Sequence, residues 1–130
     1  EESIEFHGFT GPFVQYTHAR IKSILRKIGE VAQGSIEVTE SLLKLEKQLI
    51  VSLEQYPTII AQACKEHNPS VIASYVFQLA QAFNTFYSEH SVANAENEEK
   101  KKLRLQLSHM TANVLKSGMQ LLGIKVPERM

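Results

Sequence analysis

Residues 68–87 read NPSVIASYVFQLAQAFNTFY. Asn68 followed by Pro69 opens a helix well, because Asn caps free backbone N–H groups and Pro needs none of its own. Wound at about 100° per residue, Ile72, Ala73, Val76, Phe77, Leu79, Ala80, Phe83, Phe86 and Tyr87 wrap well over half the circumference. Ser70, Ser74, Gln78, Gln81, Thr85 and Ser88 leave a narrow polar strip. A helix apolar over so wide an arc must touch several neighbours at once. This segment is therefore expected at the middle of a helical bundle.

The rest of the chain supplies the neighbours. Capping and proline signals predict helices at about 12–32, 40–55, 57–67, 69–89 and 96–122. Pro12 suits a first helical turn after Thr10-Gly11, and Pro57 separates two shorter helices. Gly34 marks a linker and residues 91–97 a polar connector. Gly123 closes the last helix, and Pro127 keeps the tail from rejoining it. In that last helix Leu103, Leu107, Met110, Val114 and Leu121 are expected to form an apolar wall, with Gly118 permitting close approach. No internal repeat and no strand-like alternation interrupts this pattern. The expected architecture is an all-α, single-domain bundle of about five helices over residues 1–130, with 1–10 as a lead-in and 124–130 as a tail.

A chain of 130 residues with 43% hydrophobic and 22% charged content can bury one core without disulfides or metal. No run of 18 apolar residues is present, and the acidic Glu1-Glu2 start is unlike a signal peptide. The absence of an initiating Met suggests a piece of something longer. A single cysteine, Cys64, fits a reducing compartment, so the cytoplasm is the expected location.

Net charge is zero, but the charge is sorted along the chain. Residues 16–27 carry Arg20, Lys22, Arg26 and Lys27 with no acid. Residues 100–130 carry seven basic residues against Glu128 alone, whereas 28–99 hold ten acids against three lysines. If the first and last helices lie side by side, their basic segments form one positive face suited to a polyanion. Charge alone equally allows two separately solvated helix faces.

On the first helix, Phe13, Val14, Thr17, Ile21, Ile24, Leu25 and Ile28 fill an arc of about 120°. Tyr16 lies outside it, among Arg20, Lys22, Arg26 and Lys27, with Phe13 at the adjacent edge. Tyrosine amid cations on a polar face is the arrangement a stacking platform for bases requires: every base has a π-face, and cations track the phosphates.

Catalytic chemistry finds no foothold. The five histidines lack the i, i+4 pairing of a metal-binding helix, and Cys64 with His67 offers two ligands where a structural zinc takes four. There is no Gly-rich phosphate loop, and no nucleophile–base–acid set stands out. Glutamates read as residues of exposed faces. The chain by itself is not expected to be an enzyme or to hold a cofactor.

Three ordered landmarks carry a family resemblance: residues 10–27 (TGPFVQYTHARIKSILRK), 68–87 with their Phe-Asn-x-Phe-Tyr ending, and 115–130 (LKSGMQLLGIKVPERM). Together with the lead-in 1–6 they resemble the C-terminal, DALR-type anticodon-binding domain of class I arginyl-tRNA synthetases, over the whole chain. The HIGH and KMSKS-type ATP motifs of such enzymes do not occur in it. The resemblance implies a domain that grips the anticodon stem and loop of tRNA(Arg) for an N-terminal catalytic domain using ATP with magnesium. It makes neither DNA nor a membrane a partner. It places Phe13, Tyr16, Tyr87 and the terminal Met130 near the anticodon loop, and Asn84, one turn before Tyr87, is a further candidate for tRNA binding. Arg20, Lys22, Arg26, Arg104 and Arg129 would meet the tRNA, largely through its phosphates. Phe13 stands where the family often has Tyr, so a hydroxyl is lost there. Phe13 and Tyr87 also read as core, Asn84 as satisfying a buried backbone group, and Arg20 as pairing with an acid. A helical protein–protein interaction module with no nucleic-acid role is the alternative reading.

Overall fold

The computed structural model describes residues 11–28, 43–90, 95 and 98–124. They form helices α1 (Gly11–Ile28), α2 (Lys44–Glu54), α3 (Tyr56–Glu66), α4 (Ser70–Glu89) and α5 (Glu98–Leu121). No strand occurs among them. The expected lead-in, the end of the first helix beyond residue 28, the Gly34 linker and Pro127 lie outside the described residues.

α4 packs against each of the other four helices, and α1 packs directly on α5. The breadth of its apolar arc is used in full: Ile72, Tyr75, Val76, Leu79, Ala80, Phe83 and Phe86 are all buried. Gly118 of α5 sits against this helix so closely that a Cβ there would come 2.5 Å from Val76 Cγ1. Val76 is β-branched and fully buried, so it has little freedom to give way. Next to this contact Tyr75 stacks on Tyr56 at 5.6 Å and donates a 2.6 Å hydrogen bond to the Ser52 carbonyl. Burial, helped by the nearby Tyr56, pushes the Tyr75 hydroxyl up to about 12. It is a structural donor, not a group for proton transfer near neutrality.

The helix ends are closed by identifiable chemistry. Asn68 Oδ1 accepts from the backbone N–H of Ser70 at 3.1 Å at the start of α4, where Pro69 and not Asn68 holds the N-cap position. Gly123 takes φ +78°, and Ile124 N–H reaches Met119 O at 2.9 Å in the Schellman pattern that ends α5. His67 makes the same pattern at the end of α3, with Asn68 N–H on Ala63 O at 3.0 Å, although its own φ of 50° is left-handed. A side chain with a Cβ is strained there, by roughly 1–2 kcal/mol relative to Gly. Replacing His67 with Gly, which is exposed and caps no other group in this pattern, is expected to raise stability by about 1 kcal/mol. Chemical denaturation of the 130-residue chain measures it.

Two readings of helix faces are corrected. Met110 and Leu121 are exposed, not part of the α5 wall, which instead runs through Leu103, Leu105, Leu107, Ala112, Leu115 and Met119. His18, which is not among the residues of the predicted apolar arc of α1, is only 2% exposed. Both differences have one cause. α1 and α5 each touch more than one neighbour, so the buried arc is wider than a single-partner stripe and is set by where those neighbours lie.

Burial also reaches charges. Glu46 of α2 is fully buried, contrary to the expectation that glutamates face solvent. Its Oε1 accepts from Lys100 Nζ at 2.7 Å and from the Leu43 backbone N–H at 2.9 Å, and its Oε2 from Arg104 Nε at 3.0 Å. Burial alone would raise the pKa of this carboxyl, but the three donors outweigh it and hold the group below its ordinary value. Ser108 and Thr111 are buried on the same helix by donating to the carbonyls one turn back, Arg104 O and Leu107 O.

Candidate nucleic-acid interface

The site grows from the packing of α1 on α4. Thr17 is fully buried in the apolar arc of α1, where its hydroxyl donates to the Phe13 carbonyl at 3.0 Å. Asn84 of α4 faces it, donating through Nδ2 to Thr17 Oγ1 and to Ala80 O, both at 2.9 Å. The other end of that amide, Oδ1, accepts from Arg20 NH1 at 2.8 Å. One turn further along α4, the ring of Tyr87 lies 4.8 Å from the Arg20 guanidinium carbon. Tyr87 in turn stacks on the fully buried Phe83, nearly coplanar at 6.1 Å and 9°.

Phe13 completes the floor. It meets Phe77 of α4 edge to face at 5.5 Å and is half-buried. Tyr16 stands outside this floor, one turn before Arg20, and is 50% exposed. That is unusual for a large aromatic with a packed neighbour helix available, and it leaves a ring face open for stacking.

The structure thus brings together Arg20, Asn84 and Tyr87, with Tyr16 one turn and Phe13 two turns before Arg20 on α1. Arg20 pairs with an amide and a ring rather than with an acid among the described residues. Lys22 and Arg26 are not on this face: at about 100° per residue they lie roughly 160° and 120° around α1 from Arg20. Lys22 is half-exposed and Arg26 exposed on that flank. Arg104 is a correction. It is 1% exposed and bound to Glu46, so it is not presented to a phosphate. Lys100 is tied up in the same way, which leaves Lys101, Lys102 and Lys116 as the basic residues α5 shows to solvent. Arg129 and Met130 lie outside the described residues. Thr17, which fixes Asn84, was legible in the sequence only as the one polar residue inside the apolar arc of α1.

Elsewhere the surface offers little chemistry. An open cleft of about 360 Å³ near the start of α4 is lined by Gln55, Ile59, Ser70, Val71, Ser74, Tyr75 and Gln78, with no charge among them. Among the described residues no three His, Cys, Asp or Glu side chains converge, and no helix is long and apolar enough to cross a membrane.

Comparison with known proteins identifies the family of this fold. The family model of the DALR anticodon binding domain matches residues 14–130. The whole chain is 48% identical to part of the arginine–tRNA ligase of Flavobacterium psychrophilum, of which it covers 21%. Over 99% of its length it is 44% identical to that of Clostridium kluyveri, covering 23% of the relative. The fold superposes on the Thermus thermophilus arginyl-tRNA synthetase with a TM-score of 0.85 and 36% identity, over 99% of this chain and 22% of that one. The chain therefore spans about a fifth of the length of the relatives it matches. An all-helical bundle with this α1–α4 constellation, matched by the family model almost end to end, belongs to the DALR anticodon-binding domain family of the arginine–tRNA ligases.

Proposed function

We propose that this domain binds the anticodon stem and loop of tRNA(Arg) and positions the tRNA for ATP-dependent arginylation by a catalytic domain of the same ligase, in the cytoplasm. The observation that carries the reading is Tyr16, half-exposed and one turn from an arginine held over the Tyr87 ring, on a face built by two packed helices. Splayed loop bases stack on exposed rings and on guanidinium planes, and a positive edge beside them receives the backbone. Tyr16 is then the stacking platform, while Tyr87 serves mainly by carrying Arg20. Lys22 and Arg26, on the other flank of α1, would meet phosphates of the stem rather than the loop. Arg129 and Met130 stay in the proposal as residues that contact the tRNA.

ATP and magnesium belong, in this reading, to the part of the ligase outside this chain. Nothing in these residues fits them: the sequence has no Gly-rich phosphate loop, and the described residues bring no cluster of carboxylates together.

In the full-length ligase, Tyr16→Ala is expected to weaken tRNA(Arg) binding by about 1–3 kcal/mol without changing the melting temperature of the domain. Fluorescence anisotropy with labelled tRNA reads the first, calorimetry the second. Binding should also fall steeply with salt, in proportion to the phosphates neutralised. An affinity indifferent to both Tyr16 and salt would instead favour a protein-docking module with an apolar contact.

A further inference from the structure

We infer that Asn84 is a positioning residue: it locks the Arg20 guanidinium on the Tyr87 ring so that the remaining N–H edge of Arg20 is preset for an acceptor pair on an RNA nucleotide. This rests on the function proposed above and assigns within it a role that does not require Asn84 to touch the RNA.

The hydrogen bonds leave the amide one orientation. The Thr17 hydroxyl spends its proton on Phe13 O, so it faces Asn84 as an acceptor. Asn84 Nδ2 gives one hydrogen to Thr17 Oγ1 and the other to Ala80 O. Both amide hydrogens are committed, and Oδ1 is the atom left to receive Arg20 NH1. Asn84 is half-buried and Thr17 fully buried, so this relay is part of the helix–helix packing and not a surface accident.

Arg20 is then held at two points, on one edge by Asn84 and on one face by Tyr87. A free arginine on a helix surface samples many rotamers that binding has to freeze, and a fixed one does not carry that entropic cost. A single N–H of the fork goes to Asn84. The other donors stay coplanar with it, which is the geometry that grips paired acceptors bidentately. An asparagine that merely filled space would not need both hydrogens fixed before its oxygen meets the arginine.

The test is a set of double-mutant cycles in the full-length ligase, reading tRNA(Arg) affinity by anisotropy at a temperature where calorimetry shows every variant folded. Asn84→Leu is expected to lower affinity roughly 10-fold and Arg20→Ala at least as much. The double variant should bind no more weakly than Arg20→Ala alone. Thr17→Val supplies the decisive arm. Thr17 is buried and cannot reach RNA, so a few-fold loss that disappears both in the Arg20→Ala and in the Asn84→Leu background travels to Arg20 through Asn84. If the Asn84 and Thr17 losses persist unchanged without Arg20, Asn84 acts by contact or by general stability; the inference is then wrong while the interface stands. If Arg20→Ala leaves affinity unchanged, the RNA reading of this face is wrong, and the inference goes with it.

Discussion

Replacing Glu46 with alanine is expected to destabilise the 130-residue chain by about 3–5 kcal/mol, the cost of breaking a buried ion-pair network from one side. Two buried cations lose the carboxylate they share: Lys100 is 8% exposed at its side chain and Arg104 1%. Neither can recover full hydration without opening α5 away from α2. Against a typical total stability of about 5–15 kcal/mol, that is a large fraction, and the melting temperature should drop by roughly 10–20 °C. The control that separates charge from packing is the triple variant Glu46→Leu, Lys100→Met, Arg104→Met. Removing all three charges together removes the desolvation penalty along with the attraction. Such replacements are often neutral or stabilising by about 1–4 kcal/mol. A single loss much larger than the triple one identifies the lost charge of the buried carboxylate, and not a cavity, as the source of the damage.

The same carboxylate makes stability depend on acid in a definite window. Because the folded-state pKa of Glu46 lies below the ordinary value of 4.5, its contribution is fully present above that pH. As pH falls through 4.5 the unfolded chain takes up the proton first, and stability declines until the lowered folded-state pKa is passed. Glu46→Gln keeps the shape and the acceptor for Leu43 N–H but cannot titrate. Its stability is lower at neutral pH and should change less than that of the parent chain below pH 4.5.

This triad also marks the boundary of what local sequence reveals. The run Lys100, Lys101, Lys102 and Arg104 looks like a solvated basic face, and no acid stands one turn before or after Arg104. The neutralising carboxylate is 54 residues from Lys100 along the chain. A signal was nevertheless present. Traced backward from the buried Met119 and Leu115 at steps of three and four, the seam of α5 passes through Thr111, Ser108, Arg104 and Lys100. Polar residues continuing an apolar seam are candidates for buried, paired groups. By contrast, α4 was legible because its apolar arc is too wide for one partner, and Gly123 because only a left-handed residue ends a helix in that way. Tyr16 was legible because it lies well outside the apolar arc of α1, and neither neighbouring helix covers it. Arg20 was legible as a cation but not in its contacts, since Asn84 and Tyr87 come from a helix more than sixty residues away.

Phe83→Ala is expected to cost about 3–5 kcal/mol in stability and, separately, to weaken tRNA(Arg) binding. The first effect follows from the fully buried ring, which packs on Phe86 at 5.9 Å and supports Tyr87. The second follows from what Tyr87 carries. With Phe83 gone the Tyr87 ring loses the surface it lies on, and Arg20 loses the fixed plane beneath it. Ile72→Ala supplies the comparison. It removes a buried side chain from the same helix, at a cost of about 2–5 kcal/mol, but roughly 22 Å along the axis from Tyr87. Measured in the full-length ligase well below either melting transition, Phe83→Ala should reduce affinity while Ile72→Ala leaves it near the parent value. Equal affinities for the two variants would mean that Tyr87 holds its place without Phe83, and the support of the interface would then have to lie in α1 alone.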